Sequence, residues 1–299
     1  MRSVKNTWIL SKFRVGLALR NRTFIFFSLV FPLTFLFLIV GVFGRGNSFA
    51  VPYLLGPVLA LSVMGSFWGL SMQLVMFREQ GILRRFRLAP VGAGPMLASS
   101  IIANYVLIWP TIVLEFLLTM WIFHMRTLGD IPSLIVLVSV GSATFSSFGL
   151  IVASVTNSMQ ETQVLNNVIW SAFLFLSGAT IPLVILPGWI QHMALFLPAT
   201  YLVAGLQNSM VNTETLRQLA GDTFVLLAGL AVAFEISRQL FRWDPGAKVP
   251  NRSKAWVVVA LVPFILLGFW ENSRGGRLNQ IRAEFNVIEQ HRPASPQTK

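Results

Sequence analysis

Five charged side chains crowd into ten positions, Arg78, Glu79, Arg84, Arg85 and Arg87, between two long apolar stretches. The chemistry open to such a cluster is pairing, because a guanidinium seats bidentately on a carboxylate and holds a partner surface in register. A second polar turn, TNSMQETQ, adds Asn157 and Glu161. Covalent chemistry finds no footing. A polytopic membrane enzyme needs His, Asp or Glu clustered near the interface, and the acids here are isolated. His124, His192 and His291 are too scattered for a metal centre, and a chain without cysteine has neither thiolate metal sites nor disulfides. No catalytic residue, no metal and no cofactor is therefore assigned to this chain.

The elements that must position these residues follow from hydropathy. A chain of 299 residues that is 55% hydrophobic and 11% charged, with a mean hydropathy of +0.68, is no ordinary soluble domain. The expected fold is an all-α, polytopic transmembrane helical bundle. A span needs about 20 apolar residues, and six runs supply them at residues 24–43, 53–77, 96–123, 131–155, 164–185 and 223–240. A seventh run, residues 255–270, is shorter and carries Pro263 in its middle, so it fits a thin span, a re-entrant piece or an interfacial helix. The first run has a basic flank like a signal peptide, but its length and the lack of a small-residue cleavage site make it an anchor.

Charge asymmetry orients the spans. With the N-terminus inside, the inner segments hold fifteen of the 23 Lys and Arg residues, and the outer loops hold three, Arg45, Arg126 and Arg217. The other five lie in the tail after Trp270, which a full seventh span would carry outside against the rule. The net charge of +12 thus reflects topology and anionic lipid, not nucleic acid. Residues 1–22 place Ile9, Phe13 and Leu17 at fourfold spacing, with Lys5 and Lys12 elsewhere on the wheel, as in an amphipathic helix lying on the cytoplasmic surface. Residues 23–241 form the transmembrane core, which contains the connector 78–95 and the outer segment 181–211. Residues 242–299 form a basic linker, the extra apolar run and a polar tail.

Within the connector, Pro90 and Pro95 stop any helix that begins near Glu79, while Gly92 and Gly94 let the chain turn back to the bilayer. Residues 181–211 are apolar but broken by Pro182, Pro187, Gly188 and Pro198. Broken backbone at membrane depth needs shelter by protein or water, which predicts short re-entrant helices, with Trp189 and Tyr201 suited to the outer interface. Glu115 is the only acid well inside a span, where an unpaired charge costs about 2.5–3.5 kcal/mol. It should face protein or water, as a gate, a substrate contact, a proton-sensitive pair or a structural hydrogen bond. Gly65 and Gly69 have the spacing that lets helices approach closely, within one subunit or across a dimer. Asn166, Asn167, Ser177 and Thr180 make the fifth span mixed in polarity. Glu235 and Arg238 are spaced to pair at the end of the sixth.

The stretches REQGILRRFRLAPV, TNSMQETQ and LSGATIPLVILPGWIQHMALFLPATYLVAGLQ, in this order, resemble the membrane (permease) subunit of type-2 ABC exporters, from the N-terminal helix to about Leu240. No G-x-x-x-x-G-K-[ST] phosphate loop occurs in the sequence, so the resemblance implies that ATP and magnesium sit on separate ABC ATPase subunits. It implies a second permease subunit, copy or relative, and no nucleic acid. Coupling to the ATPase falls to Glu79, Gly81, Arg84, Arg85 and Arg87, with Asn157 and Glu161 as a second contact. The substrate path falls to Gly65, Gly69, Gln73, Glu115, Asn166, Asn167, Ser177 and Thr180, and the outer gate to Pro187, Trp189, Pro198 and Tyr201. The expected function is export of an amphipathic, drug-like or lipid-linked substrate across the bacterial inner (plasma) membrane. The alternatives are an ATP-independent channel, which leaves the connector unexplained, and a secondary transporter, which would show an internal repeat.

Overall fold

A computed structural model describes residues 2–44, 50–86, 92–125, 127–244 and 255–282, and its regular elements are all helical. They are α1 (Arg2–Arg20), α2 (Arg22–Phe43), α3 (Ala50–Glu79), α4 (Ile82–Phe86), α5 (Ala93–Ile122), α6 (Ile131–Val155), α7 (Met159–Leu176), a 3-10 turn (Leu183–Ile185), α8 (Gly188–Ala194), α9 (Pro198–Val211), α10 (Ala220–Leu240), α11 (Ala255–Ala260) and α12 (Val262–Arg274). Four of them, α3, α5, α6 and α10, are long and apolar enough to cross a membrane. A fifth candidate is the pair α8 and α9, bent by 92°. The described apolar part of α2, Ser28–Phe43, is shorter than a full span, and α7 opens on the polar sequence MQETQ.

Local chemistry sets the ends of these helices. Asp130 caps α6 by accepting from the Ser133 amide at 3.0 Å, with a proline in the first turn. Ser158 caps α7 by accepting from the Glu161 amide, and the Glu161 carboxylate reaches back to the Asn157 amide at 2.7 Å. Gly81, at φ +69°, ends α3 in the left-handed conformation that glycine tolerates. Two expectations are corrected. The fifth apolar run does not continue to residue 185, because Gly178 at φ +90° and Pro182 break the chain after α7. Pro95 opens α5 rather than closing the connector: it lies in the first turn, where its missing amide hydrogen has no partner to lose.

Helix α3 is the axis of the bundle and packs on α2, α5, α6, α7 and α9, while α6 also packs on α9 and α10. Lipid is as apolar as leucine, so shape rather than water exclusion decides how tightly spans associate. The close contacts are made at glycine. A Cβ on Gly149 of α6 would strike the Phe67 carbonyl of α3, and one on Gly56 of α3 would lie 2.7 Å from the Gln207 backbone of α9. Between them, Phe67, Phe145, Tyr201, Leu202 and Phe264 fill a continuous core.

The bundle has two distinct ends. The connector end holds Gly81, α4, the turn at residues 156–158 and the chain after α10, where Arg84 lies 3.8 Å from Asp244. At the distal end the Asp130 amide donates to the Ser209 carbonyl at 3.0 Å. The chain beyond α10 then runs back along it. Phe264 fills the space beside Gly229 in α10, Gly268 abuts Phe196, and Arg277 pairs with Asp222 in the first turn of α10. Residues 271–282 therefore sit at the distal end, with His192 Nδ1 2.7 Å from Asn272 Oδ1 and the Arg282 guanidinium donating to Gln191 Oε1 at 3.0 Å. Residues 255–270 form α11 and most of α12, broken at Leu261 just before Pro263 and packed along α10.

Candidate functional site

At the connector end, two arginines tie together segments far apart in sequence. The Arg78 guanidinium is buried and donates to the Ala153 carbonyl at 2.7 Å and the Thr156 carbonyl at 2.8 Å, satisfying the C-terminal turn of α6. Arg242 donates to Ser154 O at 3.0 Å, Thr156 O at 2.6 Å and Asn157 Oδ1 at 3.0 Å. Glu79 Oε1 accepts from the Met159 amide at 2.8 Å, at the N-terminus of α7, where a negative charge is favoured. Glu79, Asn157 and Glu161, assigned above to coupling, thus meet in one polar node. Its two organising arginines are recognisable in the sequence only as topology-setting charges.

From this node α4 projects as a single turn. Leu83 is buried against Leu74, Val75 and Met96, while Arg84 and Arg85 point to solvent. The turn is thus seated by one leucine and presents two cations. Arg87, Pro90 and the chain between them lie outside the described residues.

Helix α1 packs on α5 through its polar side. Ser11 and Arg14 are buried, and Arg14 reaches Gln73 Oε1 at 3.5 Å and the Phe77 ring at 5.5 Å. Burial lowers the Arg14 guanidinium to about 10, so it stays charged at neutral pH. Ile9, Phe13 and Leu17 lie exposed on the other side, as an interfacial helix requires.

The residues assigned to the path separate into three places. Gly65 and Gly69 line a cleft of about 590 Å³ between α2, α3, α5 and α7, together with Ser62, Ser66 and Trp68 of α3. A Cβ on either glycine would meet nothing within 4 Å, so these glycines face open space and do not serve close packing within the chain. Helix α5 contributes Asn104, Ile108 and Thr111, helix α2 Ser28 and Phe31, and helix α7 Trp170. Glu115 lies one turn beyond Thr111 on the same face of α5. It is completely buried, with Oε1 accepting from the Ser62 hydroxyl at 2.6 Å, and Oε2 has no hydrogen-bond partner among the described residues.

Ser177 and Thr180 instead line a water-sized cavity of about 30 Å³ with Tyr53 and Asn208. Asn166 is buried and donates to Ser71 Oγ at 2.6 Å, Asn167 is exposed, and Gln73 is held by Arg14. At the distal end Pro187 and Pro198 each open a short helix, and Trp189 is two-thirds exposed at 66%. Tyr201 is not at a wet interface. It is wholly buried, its hydroxyl donates to Leu195 O at 2.6 Å, and the Arg277 guanidinium lies 4.8 Å from its ring. The Glu235–Arg238 pair forms at 2.7 Å.

These elements match known proteins. Over 182 residues, 61% of its length, the chain is 26% identical to the linearmycin resistance permease protein LnrN of Bacillus subtilis. The chain spans about half of that relative, 47% of its length. The model of the ABC-2 type transporter family matches residues 5–211, from α1 through the bent pair, which is more than half of the chain. This chain belongs to the ABC-2 type transporter family.

Proposed function

We propose that this permease exports an amphipathic, drug-like or lipid-linked compound, pairing with a second permease subunit, copy or relative, and driven by separate ABC ATPase chains that hold ATP and magnesium. On this reading the connector end is cytoplasmic, as is the N-terminus, and the membrane is the bacterial inner membrane. The observation that carries it is the node under α4. A turn of five residues has no stiffness of its own, yet this one rises from the end of α3, is seated by Leu83, and shares its base with the ends of α6 and α10 through Arg78 and Arg242. A push on Arg84 and Arg85 is therefore delivered to three spans together. The relative's name ties that protein to resistance to linearmycin, which supports a toxic cargo here.

The test begins with purification from the native membrane together with bound proteins, followed by ATP turnover across a panel of candidate substrates. An ABC ATPase should co-purify, and the double variant Arg84→Ala, Arg85→Ala should insert normally while substrate-stimulated turnover falls at least tenfold. Normal stimulated turnover in that variant, or a preparation without an ABC ATPase, overturns the reading.

A further inference from the structure

We propose that the cleft between α2, α3, α5 and α7 is a binding site for hydrophobic organic cations, molecules with an ammonium-type charge on an apolar body; this deepens the export reading and rests on it. The cleft's size, about 590 Å³, is that of a site for a drug-sized molecule. Its aromatic wall is the first argument. Trp170 lies 6.4 Å from Trp68 and 6.5 Å from Phe31, ring centre to ring centre, and all three rings line the cleft. Ring faces attract a desolvated cation and reject an anion.

The second argument is charge. Among the described residues no Lys or Arg lines the cleft, while Glu115 stands behind Ser62 with Oε2 unpaired, and the buried Ser66 hydroxyl on the cleft wall also has no partner. Buried polar groups are normally satisfied; here, among the described residues, the Ser66 hydroxyl, on a residue of the cleft wall, and Glu115 Oε2, behind Ser62, are not. The third is room. Gly65 and Gly69 face the space with nothing within 4 Å, where larger residues would fill it.

The ammonium group could belong to a free compound or to a lipid such as phosphatidylethanolamine, and the test separates these sources. The full chain in maltoside micelles is titrated with tetraphenylphosphonium and, separately, with tetraphenylborate, which has the same shape and the opposite charge. The variant Gly65→Leu, Gly69→Leu, whose side chains start from positions where a Cβ meets nothing within 4 Å and project into the cleft, measures micelle background. Above that background, the cation should bind one to one and at least tenfold more tightly than the anion. Glu115→Gln and Trp170→Leu should each lower cation affinity about tenfold, and Trp170→Phe should restore most of it. Competition by added phosphatidylethanolamine identifies lipid as the source, and its absence identifies a free compound; both support the site. Equal binding of cation and anion, or wild-type affinity in both Glu115→Gln and the filled variant, overturns it. Neither ATP nor ATPase is present, so that failure leaves the permease reading standing. A chain that binds the cation but does not export it with its ATPase keeps the site and loses the export reading.

Discussion

At the scale of single residues, Arg78 has the most work assigned to it for the least signal. In the sequence it is one more cation before a connector. In the fold it is buried and bonded to two carbonyls at the end of α6, where the helix dipole also favours a positive charge. Each hydrogen bond to a charged group contributes about 1.5–3 kcal/mol, and losing the one to Ala153 strands a buried carbonyl, whereas Thr156 O keeps Arg242. Lysine keeps the charge but not the fork that spans Ala153 O and Thr156 O. Arg78→Lys should therefore lower the thermal midpoint of the detergent-solubilised protein by several degrees and weaken the link between α3 and α6, with substrate-stimulated ATP turnover reduced more than basal turnover. An unchanged midpoint and unchanged stimulation would reduce Arg78 to a topology signal. Glu115 shows the opposite case. A lone acid in an apolar run is plain to read, and the polar environment expected of it is the Ser62 hydroxyl. Its partner lies 53 residues away and could not be picked out from spacing.

At the scale of elements, hydropathy marked most helices to within a turn, residues 131–155 among them. What they missed were breaks and close approaches. The run at 164–185 is continuous in hydropathy, so only Gly178 and Pro182 tell that α7 has already ended. The glycines divide in a way that no pattern reveals. Gly65 and Gly69 have the spacing of a packing seam yet face the cleft, whereas Gly149 and Gly56, each with an alanine four residues on, are where helices touch. The division is testable by adding one methyl group. Gly149→Ala drives a Cβ into the Phe67 carbonyl, which belongs to a helix backbone and cannot swing aside, and such overpacking costs about 1–3 kcal/mol. Gly65→Ala meets open space and gains helix propensity. Thermal unfolding in detergent should show Gly149→Ala clearly destabilised and Gly65→Ala equal to the parent or better. The reverse order would mean that α3 presents its other face to α6.

For the whole molecule, the chain after α10 is the part that the sequence left open, and like α10 itself it lies outside the family match, which ends at residue 211. Lys and Arg counting weighed against an outside tail, but that rule is statistical and says nothing of a charge that finds a partner. Arg277 finds one in Asp222, buried in the first turn of α10, with Glu271 3.9 Å away, so one of the tail's cations is compensated where it lies. Further contacts, Arg282 with Gln191 and Gln280 with Glu214, fasten the same segment to the distal end. If α4 marks the cytoplasmic side, residues 271–282 belong on the other one. The sequence has no cysteine, so single cysteines report cleanly. Placed at Asn279, Trp189 and Arg85, all exposed positions, they should divide with an impermeant thiol reagent in sealed right-side-out vesicles: Asn279 and Trp189 labelled from outside, Arg85 only after the membrane is opened. Truncation before Ala255 should then leave insertion of the core intact but expose Asp222 and lower stability, because the buried carboxylate loses its cation. Labelling of Asn279 together with Arg85 would place the tail in the cytoplasm, and the pairing of Arg277 with Asp222 could not stand.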